Sequence, residues 1–324
     1  MNDQVFPQIP IPILVIAGPT ASGKTHLALH LAKGVGGELV GADSVQIYRE
    51  FNIGSAKPSA DDLQGIPHHL IDAIDPDEPI DAASYAAMAD RAIWEVHSRG
   101  RVPIVVGGAG LWLRALLRGL VALPRPDPEL RKRLEAEVER LGAPAMHARL
   151  ASVDPDAAKR IHPNDALRIV RALEVHAQTG KALGALWKAH ALGKMRYPTL
   201  FIVLEPEPNT LRARIESRVF SMLTRGWVEE VRGLLERWPA SARPFHSVGY
   251  REIVAFLGGK TTQAELPTAI IRSTWAYARR QRMWFRKEAG VNLRIDPQRF
   301  EFDGLKKQVL DFLNSMVSRE VRQQ

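Results

Sequence analysis

The stretch GPTASGKT, from Gly18 to Thr25, has the residue types and spacing of a phosphate-binding loop, G-x-x-x-x-G-K-[ST]. In such a loop, backbone N–H groups at the N-terminus of a helix point at an anion and hold it. Glycines at 18 and 23 permit backbone conformations that a side chain would block. Lys24 would add a positive charge, and Thr25 a hydroxyl ligand for Mg²⁺. The loop therefore predicts a polyphosphate ligand without specifying which one.

A single carboxylate, Asp43, opens the stretch DSVQIYREFNIGSAKP directly after an apolar segment. Doubly wound parallel sheets bind ligands at the carboxyl ends of their strands, so Asp43 is placed to ligate Mg²⁺ or to act as a general base. The same residue type also caps helices and stabilises turns. The sequence leaves both interpretations of Asp43 open.

Motor ATPases have an apolar strand that ends in an acidic residue, and this sequence has no clear equivalent. Such enzymes use that residue for the metal and the attacking water. Here VPIVVGG, residues 102–108, ends in two glycines, and HLID (His69–Asp72) is a weak substitute. The pattern favours a small-molecule kinase, or a transferase whose leaving group is diphosphate.

The segments that must position these residues alternate between strand and helix patterns. ILVIAG (Ile13–Gly18), ELVGAD (Glu38–Asp43) and VPIVVGG predict strands, and the segments after the first two predict helices, the first ending at Gly34 and another spanning 81–98. A strand pattern resumes at Thr199, and further helices are predicted over 209–224, 227–238 and 262–287. This alternation predicts a parallel sheet flanked by helices.

The alternation of strand and helix patterns stops at the proline-rich stretch ALPRPDPEL, after which only helical periodicity is evident up to about residue 196. We therefore predict a discontinuous P-loop-type α/β core over 1–122 and 198–296. An all-α insertion domain would occupy 123–197, and a helical tail 297–324.

Composition narrows the class of protein. The 324 residues include 44 Lys and Arg against 36 Asp and Glu, a net charge of +8, which suits a nucleic-acid partner but is also found in ordinary soluble enzymes. The absence of cysteine excludes disulfides, thiolate metal sites and thiol catalysis. The apolar segment IPIPILVIAG lacks a preceding basic region, and no apolar run approaches membrane-spanning length, so we expect a cytoplasmic protein.

Several motifs together resemble the tRNA dimethylallyltransferases. GPTASGKT, DSVQIYR, IGSAKP, PHHLID, VVGGAGLW, IHPNDALRIVRALEV, SVGYRE and RRQRMWFRK follow one another in that family's order and spacing, from about Pro10 to Lys287. The resemblance implies that the loop grips the diphosphate of dimethylallyl diphosphate, with Mg²⁺. It also implies that N6 of the adenine 3′ of a tRNA anticodon attacks C1 of the dimethylallyl group.

The resemblance also assigns residues to roles. It implies Asp43 as the base, with Lys24 and Arg218 as further catalytic residues; Arg218 alone would suggest only a solvated helix position. The residues it assigns to diphosphate binding are Gly18, Pro19, Thr20, Ala21, Ser22, Gly23, Lys24, Thr25 and Arg218, and it assigns metal binding to Thr25. The residues it assigns to tRNA contact are Asp43, Ser44, Val45, Gln46, Ala109, Arg131, Leu167, Arg168, Ile169, Val170, Arg171, Arg279 and Arg282. The tRNA would be bound through its anticodon stem-loop. We expect the protein to be a monomer.

The predicted helical segments contain arginines that are candidates for binding RNA. In the helix that follows Asn164 or Asp165, residues 166, 169, 170, 173 and 177 form an apolar face, and Arg168 and Arg171 point away from it. Arg279, Arg282 and Arg286 form a stripe whose ordinary interpretation is a solvated surface. Residues 275, 284 and 285 are aromatic and fit core packing better than base stacking.

Some residues depart from the family or invite over-interpretation. Most relatives have Thr where this chain has Ala109, and Trp112 stands where Tyr is usual. Ala109 cannot donate a side-chain hydrogen bond, which puts the fine geometry of the site in doubt. The histidines at 68, 69 and 246 lack the spacing of a zinc site, and those at 162 and 176 are predicted to be structural.

Three other functions compete with tRNA modification. Isoprenyl transfer to free AMP or ATP would need no basic helical insertion. A P-loop kinase would share the loop and the fold but transfer phosphate. A nonenzymatic RNA-binding module would leave the intact phosphate loop unexplained.

Overall fold

A computed structural model describes residues 11–121, 123–190 and 195–321. The chain forms two compact units: unit 1 contains Met1–Leu117 and Met195–Gln324, and unit 2 contains Arg118–Lys194. Residues from 297 onward, predicted as a separate tail, belong to unit 1. The other predicted boundaries lie near these divisions, and the parts of the predictions that fall on residues 1–10, 122, 191–194 and 322–324 lie outside the described residues.

Unit 1 is built on a parallel β-sheet. Its strands are β1 (Ile13–Ala17), β2 (Gly37–Ala42), β3 (His68–His69), β4 (Val102–Gly107), β5 (Thr199–Leu204) and β6 (Leu293–Ile295). In the described residues they form a six-stranded sheet in the order β3-β2-β4-β1-β5-β6, with every pair parallel. The predicted parallel sheet is confirmed. Strands β3 and β6 are not predicted from the sequence, because two or three residues are too few to show a periodicity.

The helices alternate with these strands and then dominate the second half of the chain. In chain order they are α1 (Lys24–Val35), α2 (Ala60–Leu63), α3 (Ala82–Ser98), α4 (Gly110–Arg118), α5 (Pro128–Leu141), α6 (Ala143–Val153), α7 (Pro155–Arg160), α8 (Ala166–Thr179), α9 (Leu183–His190), α10 (Pro208–Thr224), α11 (Trp227–Arg237), α12 (Tyr250–Leu257), α13 (Leu266–Lys287) and α14 (Phe302–Val321). A short 3₁₀ helix spans Arg243–His246. The predicted end of α1 at Gly34 is wrong: the helix continues to Val35 and is capped by Gly36, which has a left-handed φ of 65°.

Each face of the sheet carries its own hydrophobic core, because successive strand residues point to opposite faces. Ile13 and Val15 of β1 lie in one core, whereas Leu14 and Ile16 lie in the other. The second core also includes residues of α1 and α14, namely Leu27, Leu31, Leu305 and Val309. The C-terminal helix α14 therefore covers part of one face of the sheet. None of the helices described in either unit has the length and apolarity that crossing a membrane requires.

The regular secondary structure in the described residues of unit 2 is all helical, and the unit has a small core of its own. Helices α5 to α9 pack around buried side chains such as Leu134, Leu150, Ile169 and Leu173. Asp127 caps α5, and Asp165 caps α8 by accepting the Arg168 N–H at 3.2 Å. The all-α insertion is therefore confirmed, with a core that does not depend on the sheet for its apolar contacts.

Candidate active site

The phosphate loop connects β1 to α1 and depends on two glycines. A Cβ at Gly18 would lie 2.7 Å from the Leu204 carbonyl oxygen, closer than any side chain tolerates. Gly23 has a φ of 91° and stands just before Lys24, the first residue of α1. No side chain among the described residues caps this helix, so its first-turn N–H groups lack protein acceptors of that kind. The loop is thus a ready-made anion site.

Lys24, Arg218 and Asp43 form one electrostatic cluster at this loop. The Lys24 ammonium donates to the Pro19 carbonyl at 2.7 Å. Burial lowers the pKa of Lys24 to about 8, an effect that Asp43 opposes and Arg218 reinforces. Burial also lowers the pKa of Arg218, again opposed by Asp43. The fold therefore brings together the three residues predicted to be catalytic, which are far apart in the sequence.

Asp43 lies directly after β2 and shapes the turn that follows. Its Oδ1 atom accepts the N–H groups of Val45 at 2.9 Å and of Gln46 at 3.3 Å. The turn role that the sequence left open is therefore real. The carboxylate also lines two cavities, so it is available to ligands as well.

The two cavities differ in chemistry and meet at shared residues. The first, of about 630 Å³, is lined by the phosphate loop and by cationic side chains including Lys24, Lys33, Lys57 and Arg225. The second, of about 320 Å³, combines apolar and aromatic side chains, including Val219, Met222, Trp227 and Tyr250, with polar and charged ones such as Arg251 and Arg280. Both cavities are lined by Thr20, Ala21, Asp43, Ser55, Arg218 and Tyr277. The first cavity suits a diphosphate, and the second a flat, weakly polar group.

The residues after Asp43 divide between the two cavities. Ser44 and Val45 line the second, whereas Gln46 lines the first. The Gln46 amide nitrogen donates to the carbonyls of Ser55 at 3.0 Å and Ala56 at 3.1 Å. The Gln46 side chain is thus turned toward the loop that carries Ser55, and the contact of these three residues with tRNA stays a prediction.

That loop, residues 52–57, is held by one carboxylate on α11. Glu230 accepts the N–H groups of Asn52, Ile53 and Gly54, and the hydroxyl of Tyr250 at 2.7 Å. The motifs IGSAKP and SVGYRE had no explanation from the sequence alone. Glu230 joins them, because it binds Ile53 and Gly54 of the first motif and Tyr250 of the second.

His68 and Tyr277 are polar residues of the first cavity to which the sequence assigned no role. Both ring nitrogens of His68 are buried without a partner among the described residues, and burial lowers its pKa to about 3, so the imidazole is neutral. Burial and the nearby Asp43 raise the pKa of Tyr277. The described residues contain no group of three or more His, Cys, Asp or Glu that could hold a metal ion.

Ala109 and the arginines of α13 lie on different parts of unit 1. The Ala109 N–H donates to the Ala42 carbonyl at 3.2 Å, beside Asp43 in the sequence. Arg279 is exposed, and Arg282 is half-buried and lines a small crevice with Pro19 of the phosphate loop. The exposed Arg279 is free to reach a polyanion, while Arg282 has less freedom to do so.

The RNA-binding residues predicted on α8 do not all face solvent. Leu167 is 75% exposed and Arg168 is also exposed. Ile169 and Val170 are buried in the core of unit 2, so the prediction that they contact tRNA is corrected: both side chains are packed against other helices. The predicted apolar face is partly wrong, since Ala177 is exposed.

Arg131 and Arg171, also predicted to contact tRNA, are bound to a buried carboxylate. Glu174 is fully buried and accepts from Arg131 at 3.1 Å, from Arg171 at 2.6 Å and from the Asp127 N–H at 3.0 Å. A buried carboxylate needs such partners, because an unpaired buried charge is strongly unfavourable. The guanidinium groups thus have a structural function in unit 2.

We expect Glu174→Ala to destabilise the protein by about 3–5 kcal/mol, because it leaves two partly buried arginines without their acceptor. The matched control is Glu137→Ala, which removes a more exposed pair with Arg149 and is expected to cost about 0–1 kcal/mol. Urea unfolding of the full chain measures both. Equal losses in the two variants would contradict the structural function of Glu174.

The comparisons with known proteins agree on one family. The family model described as IPP transferase matches residues 46–288. A tRNA dimethylallyltransferase from Anaeromyxobacter sp. (strain Fw109-5) is 48% identical over 297 residues, which is 92% of this chain and 98% of that protein.

Two solved structures are similar along nearly the whole chain. The tRNA isopentenylpyrophosphate transferase from Bacillus halodurans has a TM-score of 0.69 and 34% identity, and the match covers 97% of this chain and 98% of that one. A eukaryotic dimethylallyltransferase acting on tRNA has a TM-score of 0.77 and 27% identity, covering 95% and 80%.

Proposed function

Because this chain belongs to the IPP transferase family, we propose that it transfers a dimethylallyl group from dimethylallyl diphosphate to tRNA. The acceptor is N6 of the adenine 3′ of the anticodon. N6 forms a bond to C1 of the donor, the C1–O bond breaks with its electron pair on diphosphate, and one N6 proton is lost. The relatives named above, at 48% identity over most of the chain, support the reaction class.

The observation that carries this proposal is the pair of cavities that meet at Asp43 and Arg218. A cavity with a phosphate loop and several cationic side chains adjoins one that contains aromatic and apolar side chains beside polar ones, and the shared residues lie where they join. A donor diphosphate in the first and an adenine in the second would bring C1 and N6 together at this junction. A phosphoryl-transfer enzyme would instead need its acceptor at the terminal phosphate.

The loop, Lys24 and Arg218 would stabilise the leaving diphosphate. Negative charge grows on that group as the C1–O bond breaks, and fixed cations and N–H donors lower the energy of this state. Burial of Lys24 and Arg218 strengthens the effect, because a charge in a desolvated site interacts more strongly than one in water.

Asp43 would accept the proton from N6. Its Oδ1 atom already holds the turn through Val45 and Gln46, so the other carboxylate oxygen is the candidate proton acceptor. The base must be extruded from its stack for this contact, which is cheap in an anticodon loop because that loop is single-stranded.

The loop also offers a plausible Mg²⁺ site. Mg²⁺ prefers oxygen ligands and is often held by one or two protein groups together with substrate phosphates, so the lack of an acidic cluster is no obstacle. The Thr25 hydroxyl lines the same cavity as the phosphate loop and would hold the ion together with the diphosphate oxygens. When bound, Mg²⁺ would neutralise charge on the diphosphate.

We expect Thr25→Val to raise the Mg²⁺ concentration needed for half-maximal rate by at least about tenfold, the scale seen when metal sites lose a supporting group. The control, Thr210→Val, removes a hydroxyl from the first turn of α10. Initial rates across a Mg²⁺ titration measure both variants. An unchanged Mg²⁺ requirement in Thr25→Val would remove Thr25 from the metal site.

Each unit carries exposed arginines that would hold the tRNA backbone. In unit 2 this is Arg168, and in unit 1 it is Arg279. We expect Arg168→Ala or Arg279→Ala to weaken tRNA binding and to reduce its salt dependence by about one unit of slope. Filter binding at several salt concentrations tests this, with the similarly exposed Arg212→Ala as the control. A slope equal to that of the parent would exclude the residue concerned.

One assay tests the function as a whole. The protein is incubated with dimethylallyl diphosphate, Mg²⁺ and unmodified tRNA, and the nucleosides are examined for N6-modified adenosine. Parallel reactions contain AMP in place of tRNA, or ATP in place of the donor. Modified tRNA is the expected result; product with AMP alone, or phosphate transfer from ATP, would contradict the proposal. We also propose that the protein acts as a cytoplasmic monomer, since its acceptor is a large tRNA that needs an accessible site.

A further inference from the structure

A buried glutamine on α13 joins the phosphate loop to the loop that follows β4. Gln281 is 7% exposed, and its amide oxygen accepts the Thr20 N–H at 2.8 Å. Its amide nitrogen donates to the Gly108 carbonyl at 3.0 Å. The amide nitrogen and oxygen therefore bond to backbone groups that lie 173 and 261 residues away in the sequence. The side chain also hydrogen-bonds Tyr277, which lines both cavities.

The backbone at Gly108 lies close to both the Gln281 amide and the phosphate loop. A Cβ added at Gly108 would lie 2.4 Å from the Gln281 amide nitrogen and 3.2 Å from the Gly18 carbonyl oxygen. The two loops thus approach each other around this amide. A residue buried this deeply costs free energy unless its polar atoms are paired, and here the pairing partners are the catalytic loops themselves.

The position of Thr20 gives this contact a consequence for the site. Thr20 lines both cavities, next to Ala21, which has a left-handed φ of 61°. The hydrogen bond from its N–H to Gln281 fixes the position of Thr20 in the phosphate loop, ahead of the backbone N–H groups that would bind an anion. The direction of those amides decides how well they meet an anion.

We propose that Gln281 is a positioning residue that sets the geometry of the phosphate loop for the donor diphosphate. The inference rests on the proposed function, since it assumes that the loop holds this group. Gln281 does not touch the reacting atoms; it acts through the backbone of Thr20 and Gly108. It lies on the helix that carries Arg279, so one helix would serve both the tRNA surface and the donor loop.

The test separates the amide from the volume of the side chain. Gln281→Met keeps most of the volume and loses the hydrogen bonds of the amide, whereas Gln281→Ala loses both the hydrogen bonds and the volume. Inorganic diphosphate with Mg²⁺ is titrated into each full-length protein by calorimetry, and thermal unfolding is measured alongside. Gln178→Met, which removes an amide-to-carbonyl bond in unit 2, is the control.

We expect both Gln281 variants to bind diphosphate about tenfold more weakly or worse, since two buried backbone groups lose their partner. Gln281→Ala should also lower the melting temperature much more than Gln281→Met. The KM for dimethylallyl diphosphate should rise in both, while tRNA affinity stays that of the parent. The control should match the parent in diphosphate affinity.

Two outcomes would overturn the inference in distinguishable ways. If Gln281→Met binds diphosphate as tightly as the parent, the amide does not position the loop, while the proposed function stands. If the parent itself neither binds diphosphate nor modifies tRNA, the proposed function fails and the inference fails with it.

Discussion

Asp43→Asn is expected to lower kcat by about 10²- to 10⁴-fold, the usual contribution of a positioned general base. Asparagine can still accept the Val45 and Gln46 N–H groups that Asp43 Oδ1 accepts, so the turn after β2 should persist. It cannot take a proton from N6. The substitution therefore separates the two interpretations of Asp43 that the sequence left open.

The measurement is single-turnover formation of N6-modified adenosine with saturating tRNA and donor. The matched control is Asp81→Asn, which changes a carboxylate that caps α3 through the Ser84 N–H. We expect the control to react at the parent rate and Asp43→Asn to retain its tRNA affinity. Turnover at the parent rate in Asp43→Asn would show that Asp43 is not the base.

Lys24→Met is expected to lower kcat by about 10²- to 10³-fold, similar to the loss of one preorganised donor to a developing anion. Lys24 is a buried cation whose pKa is lowered mainly by burial and further by the nearby Arg218, against the opposing effect of Asp43, so its charge is costly in the free enzyme. A bound diphosphate would offset that cost. The substitution should therefore also weaken donor binding, while leaving the empty protein folded.

Lys33→Met is the control for this experiment, because Lys33 lines the same cavity but is exposed and bonded to Gln64. It removes one positive charge at a comparable site without removing the loop lysine. Steady-state rates across a donor titration give kcat and KM for both variants. Equal losses would mean that total charge in the cavity matters, and would contradict a specific role for Lys24.

Local patterns in the sequence are sufficient to predict the parallel sheet and the phosphate loop. The loop motif is contiguous, and strands such as β4 and β5 are unbroken apolar runs that can only be buried on both faces. The end of α1 was placed two residues early, because Gly34 and Gly36 both fit a helix end and only the observed left-handed φ at Gly36 distinguishes them. The roles assigned to individual site residues stay predictions.

The predictions for unit 2 show where a sequence pattern is insufficient. Helical spacing places Arg171 away from the apolar face of α8, yet it does not say that Glu174 is buried and needs both Arg171 and Arg131. Ile169 and Val170 were carried over from the family's RNA-contact segment, although their own apolar spacing indicated the core that they occupy.

The sequence by itself determined the parallel α/β architecture, the helical insertion and the anion-binding loop, because each depends on residues close together in the chain. Only the tertiary structure decided which distant groups share a site. The cluster of Lys24, Asp43 and Arg218 and the bridge from Gln281 to Thr20 and Gly108 join residues up to 261 positions apart. Such contacts arise when the sheet aligns the ends of its strands and α13 packs near them, and no local periodicity encodes that arrangement.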